Sequence, residues 1–273
     1  RSTGSPNRAI VLKGGSNSEL SSFITRDQAV VIEQSESVAK GADGKALASG
    51  ELILIAERPL RRSGTDSNVS LRGVGAAGFA MRPEVKIING RPFKPGLQEL
   101  IVGVKALEQF VGLEVGSTVQ IRGSQWAVVG TFSSNGDAHE SEVWVDIETA
   151  QSAFRRNGYS SMLVQLSEPS AFEAFKDSLT TDPRLQVDVL NELEYFSSQS
   201  RSFTRIIGVL VTVVGIIMGL GAIFAALNTM YSAVAARTVE IATLRALGFS
   251  GSVVVLATIA EAMVLALLGG AIG

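Results

Sequence analysis

Residues 206–236 read IIGVLVTVVGIIMGLGAIFAALNTMYSAVAA, thirty-one positions without a charged side chain. Arg205 precedes them and Arg237 follows them. An α-helix rises about 1.5 Å per residue and the hydrocarbon core of a bilayer is about 30 Å thick, so roughly 20 apolar residues are enough to cross it. The stretch therefore predicts a transmembrane helix, and the segments on its two sides are expected to lie in different aqueous compartments.

A second apolar run begins near Val253 and continues to the last residue, Gly273. We interpret residues 251–273 as the start of a further span. The chain starts at Arg1 and stops inside this run, so we expect it to be a piece of a longer polypeptide with additional spans before and after it. The first 200 residues contain no apolar run long enough to cross a bilayer.

Charge and cysteine content exclude several classes of function. The net charge is −2 and the isoelectric point is near 5.6, so no electrostatic argument predicts a nucleic-acid partner. The chain has no cysteine, which excludes disulfides, zinc–thiolate sites and thiol catalysis in this segment.

Residues 1–200 have the pattern of an α/β domain. Apolar runs at 9–12 and 51–56 predict strands, and apolar residues at helical spacing predict a helix over 28–35. The middle segment, 83–155, is denser in glycine, proline and short strand signals, including a Gly-Ser hairpin turn. The sequence therefore predicts an α/β fold with a β-rich inserted subdomain at about 83–155, followed by transmembrane α-helices.

Small residues recur on one face of each apolar segment and allow another helix to approach closely. The alternative is that glycine and alanine are simply common in membrane helices. Because the arrangement occurs in both segments, we predict helix packing along two small-residue stripes: Gly215, Gly219, Ala222 and Ala226 in the first, and Ala262, Ala266, Gly269 and Gly273 in the second.

Glu261 lies about ten residues inside the second apolar run, where an unpaired carboxylate is costly. One interpretation is a polar contact across helices, with Asn228 or Thr229 as candidate partners. A second is that Glu261 lies nearer the membrane interface. A proton relay is the third, and the spans contain no second acid or histidine to support it.

The connection between the two spans, residues 237–250, is short and amphipathic. Ile241, Leu244 and Leu247 share a helical face, and Glu240 can pair with Arg237. It is either an interfacial helix on lipid headgroups or a docking helix for a soluble partner. The positive-inside rule does not give its orientation, because arginines flank both ends of the first span: Arg201, Arg205, Arg237 and Arg245.

Two motifs in residues 1–200 imitate functional sites. Residues 73–78 match G-x-G-x-x-G, with Glu99 about 20 residues further on, but Pro83 opposes the helix that a dinucleotide site needs. We therefore predict a flexible turn there.

The second motif is a group of one histidine and three acids that suggests a metal site. We predict a solvated loop instead, because a single histidine accompanies the acids. Its members are Asp137, His139, Glu140 and Glu142. No phosphate-binding G-x-x-x-x-G-K-[ST] loop and no nucleophile elbow occurs, so we expect no catalysis and no cofactor in this chain.

The loop sequence EIATLRALG at 240–248 resembles the loop between the second and third spans of MacB/FtsX-type ABC transporter permeases, whose pattern is near E-I-G-x-x-[KR]-A-[LM]-G. LRGV at 71–74, IINGRPF at 87–93, and TV at 118–119 with WAVVG at 126–130 are similar to the soluble part of the same family. The resemblance covers nearly the whole chain. Two residues depart from the pattern: Ala242 replaces the usual glycine, and Val239 stands where a basic residue is frequent.

The resemblance implies that residues 1–200 are an extracytoplasmic, periplasmic MacB-like core domain and that 206–236 and 251–273 are spans of a multi-pass protein of the bacterial inner membrane. It implies that residues 237–250 form a cytoplasmic coupling helix gripped by an ABC ATPase subunit, which binds the ATP and magnesium. The residues implied to act in coupling are Arg237, Glu240, Ile241, Leu244, Arg245, Ala246, Leu247 and Gly248.

The resemblance predicts the function of a permease subunit that couples ATP hydrolysis in a separate subunit to motion of the periplasmic domain, for export of a substrate or a lipoprotein. The expected partners are the ATPase, membrane lipid, a second permease in a homodimer or heterodimer, and a periplasmic adaptor or substrate protein. The alternatives are an ATPase-linked regulator of a periplasmic cell-wall hydrolase and a membrane-anchored sensor without an ATPase.

Overall fold

The computed structural model describes the backbone of residues 3–272; the undescribed side chains within that range are those of 199–206, 258, 265 and 270–272. Gly273 of the second predicted stripe, and the side chains of Arg201 and Arg205, therefore lie outside the described residues.

The chain divides into two compact units, Arg1–Arg201 and Ser202–Gly273. The strands of the first unit are β1 Arg8–Lys13, β2 Ile24–Thr25, β3 Ala48–Pro59, β4 Asp66–Val74, β5 Lys86–Gly90, β6 Glu99–Gly103, β7 Thr118–Ile121, β8 Ser124–Ser133, β9 Glu142–Asp146, β10 Gly158–Tyr159, β11 Ser161–Gln165 and β12 Val187–Asn191. The helices are α1 Arg26–Glu33, α2 Ala76–Ala80, α3 Val104–Gln109, α4 Ile147–Phe154, α5 Phe172–Thr180, α6 Glu192–Ala236, α7 Thr238–Ala246 and α8 Gly251–Ile272.

One ten-stranded sheet organises the first unit. Its order is β12-β1-β11-β3-β4-β9-β6-β8-β5, and β7 pairs with β8. The β4–β9 and β6–β8 pairs are parallel and the others are antiparallel. The strands between residues 83 and 155 continue this same sheet, because β9 joins β4 directly.

The local sequence explains where the first helices begin. The side chain of Thr25 accepts a hydrogen bond from the Gln28 amide, and the Gln28 side chain accepts one from the Thr25 amide. This capping box satisfies two amides that the helix itself leaves unpaired. Asp146 caps α4 in a similar way through the Thr149 amide. The strands predicted at 9–12 and 51–56, and the helix predicted near 28–35, are confirmed with small shifts at their ends.

Both faces of the sheet are buried. Helices α1 and α5 cover one face of β12, β1 and β11, and α3 and α4 cover one face of the other half. The opposite face of β1 and β11 carries Ile10, Leu12 and Leu163, which pack against Tyr195 in the first turns of α6. The hydrophobic effect therefore fixes the start of α6 on the domain.

The second unit contains most of α6, together with α7 and α8. Ile207–Ala236 within α6 and Gly251–Gly269 within α8 are each long and apolar enough to cross a membrane. The spans predicted at 206–236 and 251–273 therefore fall on α6 and α8, apart from Gly273, which lies outside the described residues.

The flexible turn predicted at residues 73–78 is wrong in part. A short helix, α2, follows Gly75 directly and ends before Pro83. A side chain at Gly78 would meet Val74 Cγ1 at 2.5 Å and Ser49 Oγ at 2.9 Å. Gly78 is thus required for close packing of α2 on β3, and five residues are too few for the dinucleotide-binding helix that the motif imitates.

We expect Gly103→Ala to destabilise the α/β domain by about 1 to 3 kcal/mol, because overpacking forces backbone shifts. A Cβ atom at Gly103 would lie 2.2 Å from the carbonyl oxygen of Glu140. Denaturant unfolding of the full chain in detergent, followed by tryptophan fluorescence, measures the effect. Both tryptophans, Trp126 and Trp144, are buried in this domain.

The matched control is Gly75→Ala. Gly75 has a φ of −94°, and the nearest atom to an added Cβ is Ile147 Cγ2 at 3.6 Å, an ordinary contact. We expect little change in this variant. Equal effects at both glycines would contradict the packing argument.

Candidate functional site

The predicted coupling segment contains one short helix, α7, with a sharply defined end. The amide of Phe249 donates to the Leu244 carbonyl, and the amide of Gly248 donates to the Arg245 carbonyl. Gly248 has a φ of +95°, in the left-handed region that favours glycine. These features form a Schellman motif, so the last turn of α7 is closed before α8 begins.

The side chains of α7 are largely exposed. The exposed fractions are 80% for Val239 and 72% for Leu247, whereas Ile241 is half-buried. Within the described part of the chain, Glu240 and Arg245 have no ion-pair partner. The helix and its C-cap residue, Leu247, therefore expose three apolar side chains, those of Val239, Leu244 and Leu247, together with one acidic and one basic side chain.

Arg237 does not pair with Glu240, so that sequence-based pairing is wrong. Its Nη1 lies 2.7 Å from Oε2 of Glu261, and its Nη2 lies 2.9 Å from Oε1 of the same residue. Glu261 is therefore bound by Arg237, which flanks the first span, instead of by Asn228 or Thr229. The Thr229 hydroxyl donates to the Ala225 carbonyl of its own helix.

The first small-residue stripe lies on the surface of α6. A Cβ atom added to Gly215 or Gly219 would meet nothing within 4 Å, and Ala222 and Ala226 are exposed. No described helix of this chain packs against the stripe, and helix packing there stays a prediction.

The first turn of α6 is bonded to the α/β domain. Glu192 is fully buried, and its Oε2 accepts hydrogen bonds from the Ser5 amide at 2.8 Å and from Nε of Arg8 at 2.5 Å. The Glu19 amide donates to the hydroxyl of Tyr195 at 3.1 Å. Polar and apolar contacts therefore act together at the start of this helix.

A buried arginine, Arg72 on β4, joins three carboxylates. Its Nη1 lies 2.6 Å from Glu51 and 3.0 Å from Glu19. Its Nε and Nη2 bind the two oxygens of Glu142 at 2.8 and 2.9 Å. With a second hydrogen bond to Glu19, the guanidinium donates five hydrogen bonds, which satisfies all of its donors, as a buried charge requires.

Further groups balance the same carboxylates. Arg82 binds Glu51 through two nitrogens and lies over the ring of Trp144, 5.5 Å from its centroid. The Ser161 hydroxyl donates to Glu19 at 2.6 Å. Together with Arg72, these groups form a charge network at the centre of the sheet.

The acidic group predicted to be a solvated loop is part of this buried region, so that prediction is wrong. His139 is 1% exposed, and its Nδ1 lies 3.1 Å from Oε2 of Glu142. Asp137 accepts a hydrogen bond from the His139 amide and so caps a 3-10 helix at Ala138–Ser141, and Glu140 accepts hydrogen bonds from the Ser134 and Gly136 amides. In the described residues no group of three or more His, Asp or Glu side chains is placed to hold a metal ion.

The central network was missed because its members lie far apart in sequence. A usable signal was present: Glu51 and Arg72 are opposite charges inside otherwise apolar strand patterns. Charges in such positions are rarely buried unless they are paired. The pairing itself requires the strand order, which the sequence pattern does not provide.

Residues 6–182 match the family model of the MacB-like periplasmic core domain. The fold and this match define the class, the extracytoplasmic α/β domain of a membrane permease. The match spans more than half of the chain, and the chain therefore belongs to the MacB-like periplasmic core domain family.

Solved structures of similar fold exist. The extracellular domain of the ABC-type transporter YknZ from Gram-positive bacteria is 18% identical to this chain, with a TM-score of 0.50. The match spans 68% of this chain and 100% of the YknZ domain. The periplasmic region of MacB from Actinobacillus actinomycetemcomitans is 13% identical, covers 72% and 92% of the two chains, and has a TM-score of 0.49. A search of the curated proteins found no match.

The family assignment confirms the resemblance to MacB/FtsX-type ABC transporter permeases and the predicted fold class. This family is a membrane permease component of ABC transporters, is not itself catalytic, and implies an ATPase partner. The protein is thus a membrane protein with an extracytoplasmic domain. The coupling roles of Arg237 to Gly248 stay predictions.

We expect Arg72→Met to destabilise the domain by about 3 to 5 kcal/mol, because it leaves three buried carboxylates without their common cation. The measurement is denaturant unfolding of the full chain, followed by fluorescence. The matched control is Arg184→Met, which removes a surface pair with Asp182 whose arginine is 69% exposed. A surface pair contributes little, so similar effects of the two variants would contradict the role of the network.

Stability should also fall in acid. Burial raises the pKa of Glu142, but the charges and hydrogen bonds of Arg72 and His139 lower this pKa by more. Burial also raises the pKa of Glu51, and Arg82 and Arg72 lower that pKa by more. Both pKa values therefore lie below the ordinary 4.5. Such carboxyls contribute fully above the unfolded-state pKa and lose their contribution as the pH falls through the folded-state pKa.

We accordingly expect the free energy of unfolding to decrease below about pH 4.5. Glu142→Gln removes one of these groups and should make the decrease shallower by up to about 1.4 kcal/mol per pH unit. Denaturant midpoints measured across this pH range test the expectation. An unchanged slope in the variant would show that Glu142 does not contribute to it.

Proposed function

We propose that this chain is the permease subunit of an ABC transporter in which α7 receives the motion of a separate ATPase subunit. Helix α6 then carries that motion to the extracytoplasmic domain. The observation that carries the proposal is the extent of α6, which runs from Glu192 to Ala236 as one helix. Glu192 and Tyr195 of its first turn are buried against the α/β domain, and Ile207–Ala236 is apolar enough to cross a bilayer.

The charge pattern of α7 supports docking of a soluble partner. A helix that lies on lipid headgroups is typically rich in lysine and arginine on its polar face, whereas the charges of α7 are one acid and one base. The acidic and the basic side chain of α7, Glu240 and Arg245, have no ion-pair partner in the described residues. Opposite charges in fixed positions favour a complementary protein surface.

The work we propose is mechanical. The segment Ile207–Ala236 contains no charged residue, and so it lacks the rings of charged side chains that line many ion channels. We expect two permease copies to meet along the stripe at Gly215 and Gly219, and the moving domain to act on a periplasmic adaptor, a substrate protein or a lipoprotein. In this proposal α6 and α8 belong to a multi-pass protein of the bacterial inner membrane.

Reversing both charges of α7, with Glu240→Arg and Arg245→Glu, should weaken co-purification of the ATPase by at least about tenfold. The double change conserves net charge but inverts the pattern presented to the partner. Binding of purified ATPase to the full chain in lipid nanodiscs measures it. The matched control reverses two exposed charges of the extracytoplasmic domain that do not pair with each other, Glu173→Arg with Arg184→Glu, and should leave binding unchanged.

The same proposal requires α7 and the domain to lie on opposite sides of the membrane. Because the chain has no cysteine, single cysteines at Ala246 and at Ser63 in the β3–β4 loop report their compartments directly. A membrane-impermeant maleimide applied to intact cells should label only the cysteine at position 63. Labelling at position 246, or unchanged ATPase binding after charge reversal, would overturn the proposed function.

A further inference from the structure

An ion pair between Arg237 and Glu261 connects the start of α7 to the middle of α8, 24 residues further along the chain. Arg237 immediately precedes α7, and Glu261 lies ten residues after the start of α8 at Gly251. The contact is bidentate, with nitrogen–oxygen distances of 2.7 and 2.9 Å. Bidentate guanidinium–carboxylate contacts fix orientation as well as distance.

The contact constrains the path of the chain. Nine residues of α7 are about 13.5 Å long, and the ten residues of α8 before Glu261 are about 15 Å long. These lengths are nearly equal, so Arg237 can reach Glu261 only if the start of α8 runs back along α7. Helices α7 and α8 do contact each other. The Schellman motif at Gly248 closes the other end of the same hairpin.

The hairpin also explains the depth of Glu261. Arg237 directly follows the apolar segment Ile207–Ala236, so its partner lies at the level where that segment ends. This agrees with the interpretation that Glu261 lies nearer the membrane interface than its place in the apolar run indicates. A carboxylate at that level, flanked by apolar residues, is costly without a partner.

Exposed ion pairs in water contribute little, and both side chains here are about half exposed in the isolated chain. The surroundings differ from water, because both residues adjoin or belong to segments apolar enough to cross a bilayer. Neither of the two charged residues within α7, Glu240 and Arg245, has an ion-pair partner in the described residues. Of the four charged residues in this region, Arg237 and Glu261 therefore form an ion pair, and Glu240 and Arg245 form none within the described residues.

We propose that Arg237 and Glu261 are positioning residues that clamp α7 to α8, so that a displacement of α7 reaches α8 as well as α6. The transmission part of this inference rests on the proposed function. It changes the role of Arg237, whose guanidinium is occupied by Glu261 and does not belong to the surface offered to the ATPase. Glu240 and Arg245 remain on that surface.

The clamp can be tested without any ATPase. The full chain with Ala242→Cys, its only cysteine, carries a nitroxide label on the exposed side of α7 and is reconstituted in phosphatidylethanolamine and phosphatidylglycerol vesicles. Arg237→Glu or Glu261→Arg alone should increase label mobility, and the two together should restore it. Glu261→Gln, which removes the pair without adding a like charge, should also increase mobility if a reversed charge prevents insertion.

The matched control is Arg245→Glu, a charge reversal on the same helix without an ion-pair partner among the described residues, which should not change label mobility. Arg237→Lys retains the charge but loses the two-point contact, so its effect should be intermediate. Unchanged mobility in the single variants, or a double variant no better than the single ones, would overturn the clamp.

Purified ATPase added to the same vesicles tests transmission. The single variants should lower permease-stimulated ATP turnover by about tenfold, within the usual range of coupling between sites, and the double variant should recover it. ATPase affinity should change by less than about twofold, because the surface offered by α7 is intact. Loss of affinity with normal turnover would place Arg237 on the docking surface and overturn its positioning role.

The label-mobility experiment and the ATPase experiment give independent outcomes. If the wild-type chain binds no ATPase, the proposed function is wrong, and the label mobility still decides whether the clamp exists. If ATPase binds and the mobility does not respond to the charge swap, the clamp is wrong and the proposed function stands.

Discussion

The buried guanidinium of Arg72 is the constraint on which the α/β domain depends. It binds Glu51 of β3, Glu142 of β9 and Glu19, so charges from three separate parts of the chain must meet at one point. A shift of β4 by one residue would move Arg72 to the other face of the sheet and leave these acids unpaired. We infer that the network specifies the register of β4 with its neighbouring strands, because buried charges that lose their partners are strongly destabilising.

The same network reaches the start of the helix that leaves the domain. The side chain of Glu19 binds Arg72, and the backbone amide of Glu19 donates a hydrogen bond to the Tyr195 hydroxyl. The ring of His139 packs edge-on against Phe196, with 5.4 Å between the ring centroids. The first turn of α6 therefore rests on groups whose positions are fixed by the centre of the sheet. A contact made only of apolar side chains could slide, whereas hydrogen bonds to fixed partners resist both sliding and rotation.

Local patterns predicted the local structure and failed where the partner is distant. The strands near 9–12 and 51–56 and the helix after Thr25 follow from periodicity and capping, which act over a few residues. The acids around His139 were misread as solvated because their partners, including Arg72, are far away along the chain. Gly78 was read as part of a turn because a packing requirement set by Ser49 leaves no trace in spacing alone.

In the second unit, too, the sequence predicted a local feature and missed a distant partner. The stop at Gly248 was predictable because a glycine after a helical pattern supplies the left-handed residue of a Schellman motif. The partner of Arg237 was not, because helical spacing favours Glu240, three residues away, over Glu261 in the next helix. The observed choice is physically reasonable. Glu261 is flanked by apolar residues, where an unpaired charge is costly, while Glu240 is on an exposed helix that water can solvate. The pair therefore forms where its absence would be most unfavourable, and Glu240 is left available to a partner.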